Sequence, residues 1–143
     1  MFAGILNGVR GTSPLVHCIT NYVTVNDCAN VLLACGASPV MADDEREAEE
    51  ITSIASSLVI NIGTLNSRTI PSMFRAGRRA NLLGRPVILD PVGAGASKLR
   101  TSAAIDLMAE IDFTVIRGNI SEITAIAGGE SKTRGVDASD PGM

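Results

Sequence analysis

Short apolar runs of strand length alternate along this chain with longer segments whose apolar residues recur at helical spacing. The runs predict strands over 15–20, 37–41, 57–63, 86–91 and 113–118. Two of them contain LVINIG and VILDP, nearly unbroken aliphatic stretches of the kind that strands covered on both faces require. The segments between them predict helices. Residues 25–34 gather Val25, Ala29, Leu32 and Leu33 on one side, and 45–55 opens on a dense acidic turn. Residues 66–83 repeat Ile70, Met73, Phe74 and Gly77, and 101–110 repeat Ala104, Leu107 and Met108, with Ile111 just beyond. A last helix over 120–127 stops at Gly128-Gly129. This βα alternation predicts an α/β fold, a mostly parallel sheet flanked by helices, with no internal repeat and no domain boundary. The tail 130–143 is polar and offers no further strand, so 113–118 is expected to be an edge strand waiting for a neighbour.

Composition narrows the core. The 143 residues are 45% hydrophobic, with no Trp, one Tyr and three Phe, so the packing must be aliphatic. A net charge of −3 gives no electrostatic case for nucleic acid or an anionic membrane as partner. Cys18, Cys28 and Cys35 form no CxxC pair, and with a single His they predict neither a zinc site nor a disulfide framework. The N-terminus lacks the basic start and long apolar stretch of a signal peptide. No apolar run approaches the ~20 residues that span a bilayer. A soluble, cytoplasmic chain with reduced thiols is expected.

Candidate chemistry collects where open α/β sheets bind ligands, beyond the C-terminal ends of the strands. Those ends read Thr20-Asn21, Met41, Asn61-Ile62-Gly63-Thr64, Asp90-Pro91-Val92-Gly93-Ala94-Gly95 and Arg117-Gly118-Asn119. Gly93-Ala-Gly-Ala-Ser97 lies between strand and helix, where backbone N–H groups can cradle a phosphate or simply make a turn. It is neither a dinucleotide fingerprint, because Lys98 stands at the third glycine position, nor a Walker A loop. Asp90 ends an aliphatic strand, a costly place for a carboxylate unless it holds a cation, caps a turn or is solvated. Asn119 and Glu122 stand at capping-box spacing. Arg117 beside them could grip a phosphate, and Glu122 could help hold Mg²⁺. The acidic run 43–50 reads as a solvated helix start, and His17, between Val16 and Cys18, as a packed structural residue.

Taken together, PLVHCITNYVTVNDCAN, ACGASPVMADDEREAEE, SLVINIGTL, RPVILDPVGAGAS, IRGNISEI and RGVDA closely resemble hydroxyethylthiazole kinase, in order and in spacing. The resemblance implies a ribokinase-like fold and a homotrimer with active sites between subunits. It implies Mg²⁺-dependent transfer of the ATP γ-phosphoryl group to the primary alcohol of 4-methyl-5-(2-hydroxyethyl)thiazole, in thiamine biosynthesis or salvage. The matching positions imply a thiazole pocket at Asn21, Val23, Met41 and Gly63. They imply ATP contacts at Asp90 and Arg117, and magnesium at Asp90 and Glu122. Members of the family are nearly twice this long, and their second half carries a Gly-rich TGxGC-like anion hole. Nothing matching that loop occurs here, so no residue of this chain is expected to be the catalytic base. The chain is expected to be the N-terminal part of one kinase domain, truncated after about five βα units and inactive alone. The alternative is a non-catalytic thiazole-binding or trimer-assembly fragment. An oxidoreductase built on Gly93 and Gly95 is disfavoured by the missing third glycine.

Overall fold

The computed structural model describes residues 2–128, together with the backbone of residues 133–134 and 137–138. The elements run α1 (Phe2–Thr12), β1 (Leu15–Ile19), α2 (Val25–Cys35), β2 (Ser38–Val40), α3 (Ala48–Ile54) and β3 (Ser57–Asn61). They continue as α4 (Thr69–Leu82), β4 (Val87–Asp90), α5 (Lys98–Glu110), β5 (Val115–Ile116), α6 (Ile120–Ile126), β6 (Thr133–Arg134) and β7 (Asp137–Ala138). Five strands form one sheet in the order β2-β1-β3-β4-β5, every pairing parallel. The chain steps outward from β1 to β2 and then returns to build β3, β4 and β5 on the other side. Strand order therefore reverses between β1 and β3, the switch point at which such sheets leave a crevice.

The two sheet faces are covered unequally. On one, Ile19, Leu58, Ile60, Val87 and Leu89 pack against Ala48 of α3, Met73, Ala76 and Ala80 of α4, and Ala104 and Leu107 of α5. On the other, Val16, Cys18 and Ala37 meet Val9 of α1 and Leu32 of α2. Alternate residues of β1 serve the two faces, as the period of a strand dictates. The core is aliphatic as composition requires, with Phe74 and Phe113 only partly buried against it.

Departures from the sequence pattern lie at element ends and in α1. Residues 45–47 do not open α3; the Asp44 carboxylate takes the Arg46 N–H at 2.9 Å and the Asp44 carbonyl takes the Ala48 N–H. α5 starts before residue 101 because the Ser97 hydroxyl accepts from the Arg100 N–H and caps it. α1 was not expected. Phe2, Ile5, Leu6 and Val9 do recur at helical spacing, but Gly4, Gly8 and Gly11 depress its intrinsic propensity. The tail, expected to be strandless, carries the short antiparallel pair β6–β7. β5 is the predicted edge strand, shortened to two residues, with Val115 and Ile116 exposed. No helix among the described residues is long and apolar enough to cross a membrane.

Candidate functional site

The rim of the sheet is tied together by one row of side chains. β3 and β4 are paired so that Asn61 lies beside Asp90. The Asn61 amide Nδ2 donates to Asp90 Oδ2 at 3.1 Å. Its Oδ1 accepts from Asn21 Nδ2 at 3.1 Å and from the Gly63 N–H at 2.9 Å. Arg117, just past β5, donates to the same Asp90 Oδ2 at 2.7 Å. Asn21, Asn61, Asp90 and Arg117 thus link the ends of β1, β3, β4 and β5 across the switch point. Asn21 Oδ1 in turn accepts the Val23 and Thr24 N–H groups, each at 3.0 Å, which shapes the turn into α2.

Glu122 closes the far end. It is buried, and Asn119 and Glu122 form a complete capping box at the start of α6. Glu122 Oε2 accepts the Asn119 N–H at 2.9 Å, while Oε1 accepts the Gly93 N–H from the loop after β4 at 2.9 Å. Capping and cleft-lining are therefore the same residue's work. Between these groups opens a cleft of about 550 Å³ lined by Asn21, Val23, Asn61, Gly63, Asp90, Arg117 and Glu122, among others. Burial pushes the Asp90 pKa up; the Arg117 charge opposes this and the Glu122 charge adds to it, leaving a net rise.

The glycine loop makes a turn, and four of its N–H groups are taken within the fold: Gly93 by Glu122, Ala94 by the Pro91 carbonyl, Gly95 by the Thr101 hydroxyl, and Ala96 by the Gly93 carbonyl. No group of three or more His, Cys, Asp or Glu side chains is clustered to hold a metal among the described residues.

The family model described as "Hydroxyethylthiazole kinase family" matches residues 6–143. The chain belongs to the hydroxyethylthiazole kinase family. It is 68% identical over 133 residues to hydroxyethylthiazole kinase of Clostridium acetobutylicum, covering 93% of this chain and 49% of that protein. It is 62% identical over 140 residues to hydroxyethylthiazole kinase of Desulfovibrio desulfuricans, covering 98% of this chain and 49% of that one. The solved structure of hydroxyethylthiazole kinase protein from Pyrococcus horikoshii OT3 superposes with a TM-score of 0.84 at 50% identity, over 87% of this chain and 49% of that one. The chain spans about half the length of the curated relatives it matches.

Of the positions that resemblance to hydroxyethylthiazole kinase singled out, the fold brings Asn21, Val23, Gly63, Asp90, Arg117 and Glu122 to one cleft. Met41 stands apart. It lines a smaller neighbouring pocket of about 130 Å³ with Cys18, Thr20, Tyr22, Val25 and Asp43. That pocket is braced by Tyr22, whose hydroxyl donates to Asp43 Oδ2 at 3.0 Å and accepts from Arg68 at 3.1 Å. His17 is structural, as expected: fully buried, with Nδ1 2.9 Å from the Thr52 hydroxyl and Nε2 2.7 Å from the Ala42 carbonyl. Cys18, Cys28 and Cys35 are free thiols, and burial pushes the Cys18 pKa up to about 12, so it is inert.

Two residues of the rim escaped the sequence reading. Asn61 was visible as a strand end but had no assigned role; an amide closing the aliphatic run SLVIN was the available signal. Arg100 lies in the first turn of α5 and reaches back to the Gly63 and Val92 carbonyls, which no local pattern announces.

Proposed function

We propose that this cleft is the substrate-binding part of a hydroxyethylthiazole kinase, which transfers the ATP γ-phosphoryl group to the primary hydroxyl of 4-methyl-5-(2-hydroxyethyl)thiazole. The observation that carries the proposal is the Asn21–Asn61–Asp90–Arg117 row at the switch point, in a chain of this family. Asn21, Val23 and Gly63 contact the thiazole: an amide for polarity, an exposed valine for apolar cover, and a glycine whose missing Cβ lets Asn21 and Asn61 close against it. Met41 belongs with them by chemistry, since a thioether suits a sulfur heterocycle, although it opens on the neighbouring pocket. Arg117 and Asp90 orient the nucleotide, the guanidinium meeting phosphate oxygens.

Mg²⁺ fits the donor set. Asp90 and Glu122 are hard oxygen ligands that line the same cleft. Asp90 would hold the ion, and Glu122, whose oxygens each already accept a backbone N–H, would act through water. The ion would neutralise charge on the transferred phosphoryl group. The described groups of the cleft bind and orient the two substrates. A homotrimer and a cytoplasmic location complete the reading, the latter in keeping with free thiols.

The test is calorimetry with hydroxyethylthiazole and with Mg·ATP, beside an ATP-consumption assay. Binding without appreciable turnover is expected, because the described residues supply binding and charge neutralisation and no general base is assigned among them. Arg117→Ala should weaken Mg·ATP binding about tenfold or more, as loss of a charge-assisted bond requires. Robust turnover by this polypeptide would overturn the claim of lost catalysis. Binding of neither ligand would overturn the assignment of the cleft. A second reading is a non-catalytic binding or assembly fragment. Thiazole binding that leaves a full-length relative's activity altered on mixing would support it.

A further inference from the structure

Arg100 is separated from the acidic cleft residues in sequence and function, yet it grips the cleft from behind. Its Nη1 donates to the Val92 carbonyl at 3.1 Å and its Nη2 to the Gly63 carbonyl at 2.8 Å. Val92 C=O and Gly93 N–H belong to one peptide unit, and the Gly93 N–H donates to Glu122 Oε1 at 2.9 Å. A single peptide plane of the cleft wall is therefore held by a cation on its oxygen and a carboxylate on its nitrogen. Both bonds are charge-assisted and polarise the amide in the same sense, so each strengthens the other.

Gly93 is fitted to this clamp. Its φ of +74° favours glycine, and a Cβ there would stand 2.3 Å from Arg100 Nη1. The second carbonyl ties in the other wall, because Gly63 also donates its N–H to Asn61 Oδ1 in the rim row. From these contacts we infer that Arg100 is a positioning residue of the cleft: through the Val92–Gly93 peptide it sets Glu122, and through Gly63 it sets the spacing between the β3 and β4 loops. The inference rests on the cleft function proposed above. It adds a residue that reaches the cleft through two backbone carbonyls and requires glycine at position 93.

The test uses the ¹⁵N-labelled chain, comparing wild type with Arg100→Lys and Arg100→Gln. Amide exchange at Gly93 should speed up about tenfold in Arg100→Gln, because the peptide whose oxygen Arg100 holds is freed to swing off Glu122. Arg100→Lys, a point donor without the fork, should fall between the two because it can serve one carbonyl only. Exchange at Leu58 and Leu89 in the core should stay as in wild type. Hydroxyethylthiazole affinity should fall in the same order as Gly93 protection. Unchanged Gly93 exchange in Arg100→Gln would overturn the inference. So would equal acceleration at Leu58 and Leu89, which would make Arg100 merely structural, or wild-type affinity in a variant whose Gly93 is deprotected. If the wild-type chain binds no thiazole, the proposed function fails, and the exchange pattern still decides whether the clamp exists. Should Arg100→Gln not fold, Gly93→Ala alone and with Arg100→Ala gives a second route. Relief of part of the Gly93→Ala defect in the double variant supports the contact, and strict additivity overturns it.

Discussion

Asp90 ends β4 with its side chain only 14% exposed, and the Arg117 ion pair does not fully offset the cost of that burial. Its native pKa is raised above the ordinary 3.8, so folding disfavours the ionised form relative to the unfolded chain. The stabilising contribution is complete below 3.8 and is lost as pH rises through the raised native value. At neutral pH, Asp90→Asn should therefore raise the melting temperature while weakening Mg·ATP binding. Melts at pH 7 and near pH 3.5 check the sign, since the advantage should vanish in acid. His17 shifts the other way. Burial lowers its pKa from 6.5, so the unfolded chain takes up the proton first and stability falls as pH drops below that value. His17→Gln should be less stable at pH 8 but should flatten the acid limb, as urea titrations at several pH values will read. That Asp90, Arg117 and Glu122 meet at one cleft was legible because Asp90 ends β4, Arg117 follows β5 and Glu122 stands at capping-box spacing from Asn119. Arg100 and Asn61 were not, because their partners are backbone or side chains of other strands, 37 and 40 residues away in the bonds to Gly63 and Asn21.

At the scale of elements, the hydrophobic period carried the five strands and the helices α2–α6, since each must bury an aliphatic stripe. It was less able to fix where a helix begins, because Asp44 and Ser97 set those points by side-chain bonds that compete with or complete the first turn. The α6 cap is one such bond with a functional partner. Asn119→Ala removes the acceptor for the Glu122 N–H and should cost about 1 kcal/mol in urea unfolding, in the usual range for a cap. It should also loosen Glu122 and so reduce Mg·ATP affinity, whereas Thr124→Ala on the same helix should leave that affinity alone. α4 and α5 make a different demand. A Cβ on Gly77 would stand 2.3 Å from Ile111 Cδ1, so the helix passes its neighbour at a distance only glycine permits. Gly77→Ala should destabilise the fold by about 1–3 kcal/mol through overpacking, despite the gain in helix propensity. Ile111→Val removes the obstructing methyl, and the double variant should recover much of the loss. Denaturation of all four chains forms the cycle, and additive losses would show that the two sites do not meet.

For the molecule as a whole, the unequal covering of the sheet is the property with the widest consequence. α3, α4 and α5 bury one face, but α1 and α2 contribute no buried residue to the other. Outward from that second layer stand Phe2 at 85% exposure, Val31 at 61% and Leu33 at 58%, while Val23 at 87% stands at the cleft mouth. Val31 and Leu33, two residues apart, point to opposite flanks of α2, and each flank leaves apolar surface that gains by being covered. The homotrimer proposed above gives that surface an occupant and would shelter Val23 over the thiazole. Sedimentation velocity across a range of concentrations should accordingly show reversible association. Val31→Lys with Leu33→Lys should shift the boundary toward monomer, because charge on a covered apolar patch is costly to desolvate. Neither residue is buried in the isolated chain, so the melting temperature at low concentration should stay close to wild type. Thiazole affinity should decline in step with the loss of assembly if subunits complete the cleft. Association unaffected by both lysines would place the contact elsewhere, and full affinity in a monomer would show that the cleft binds without a neighbour.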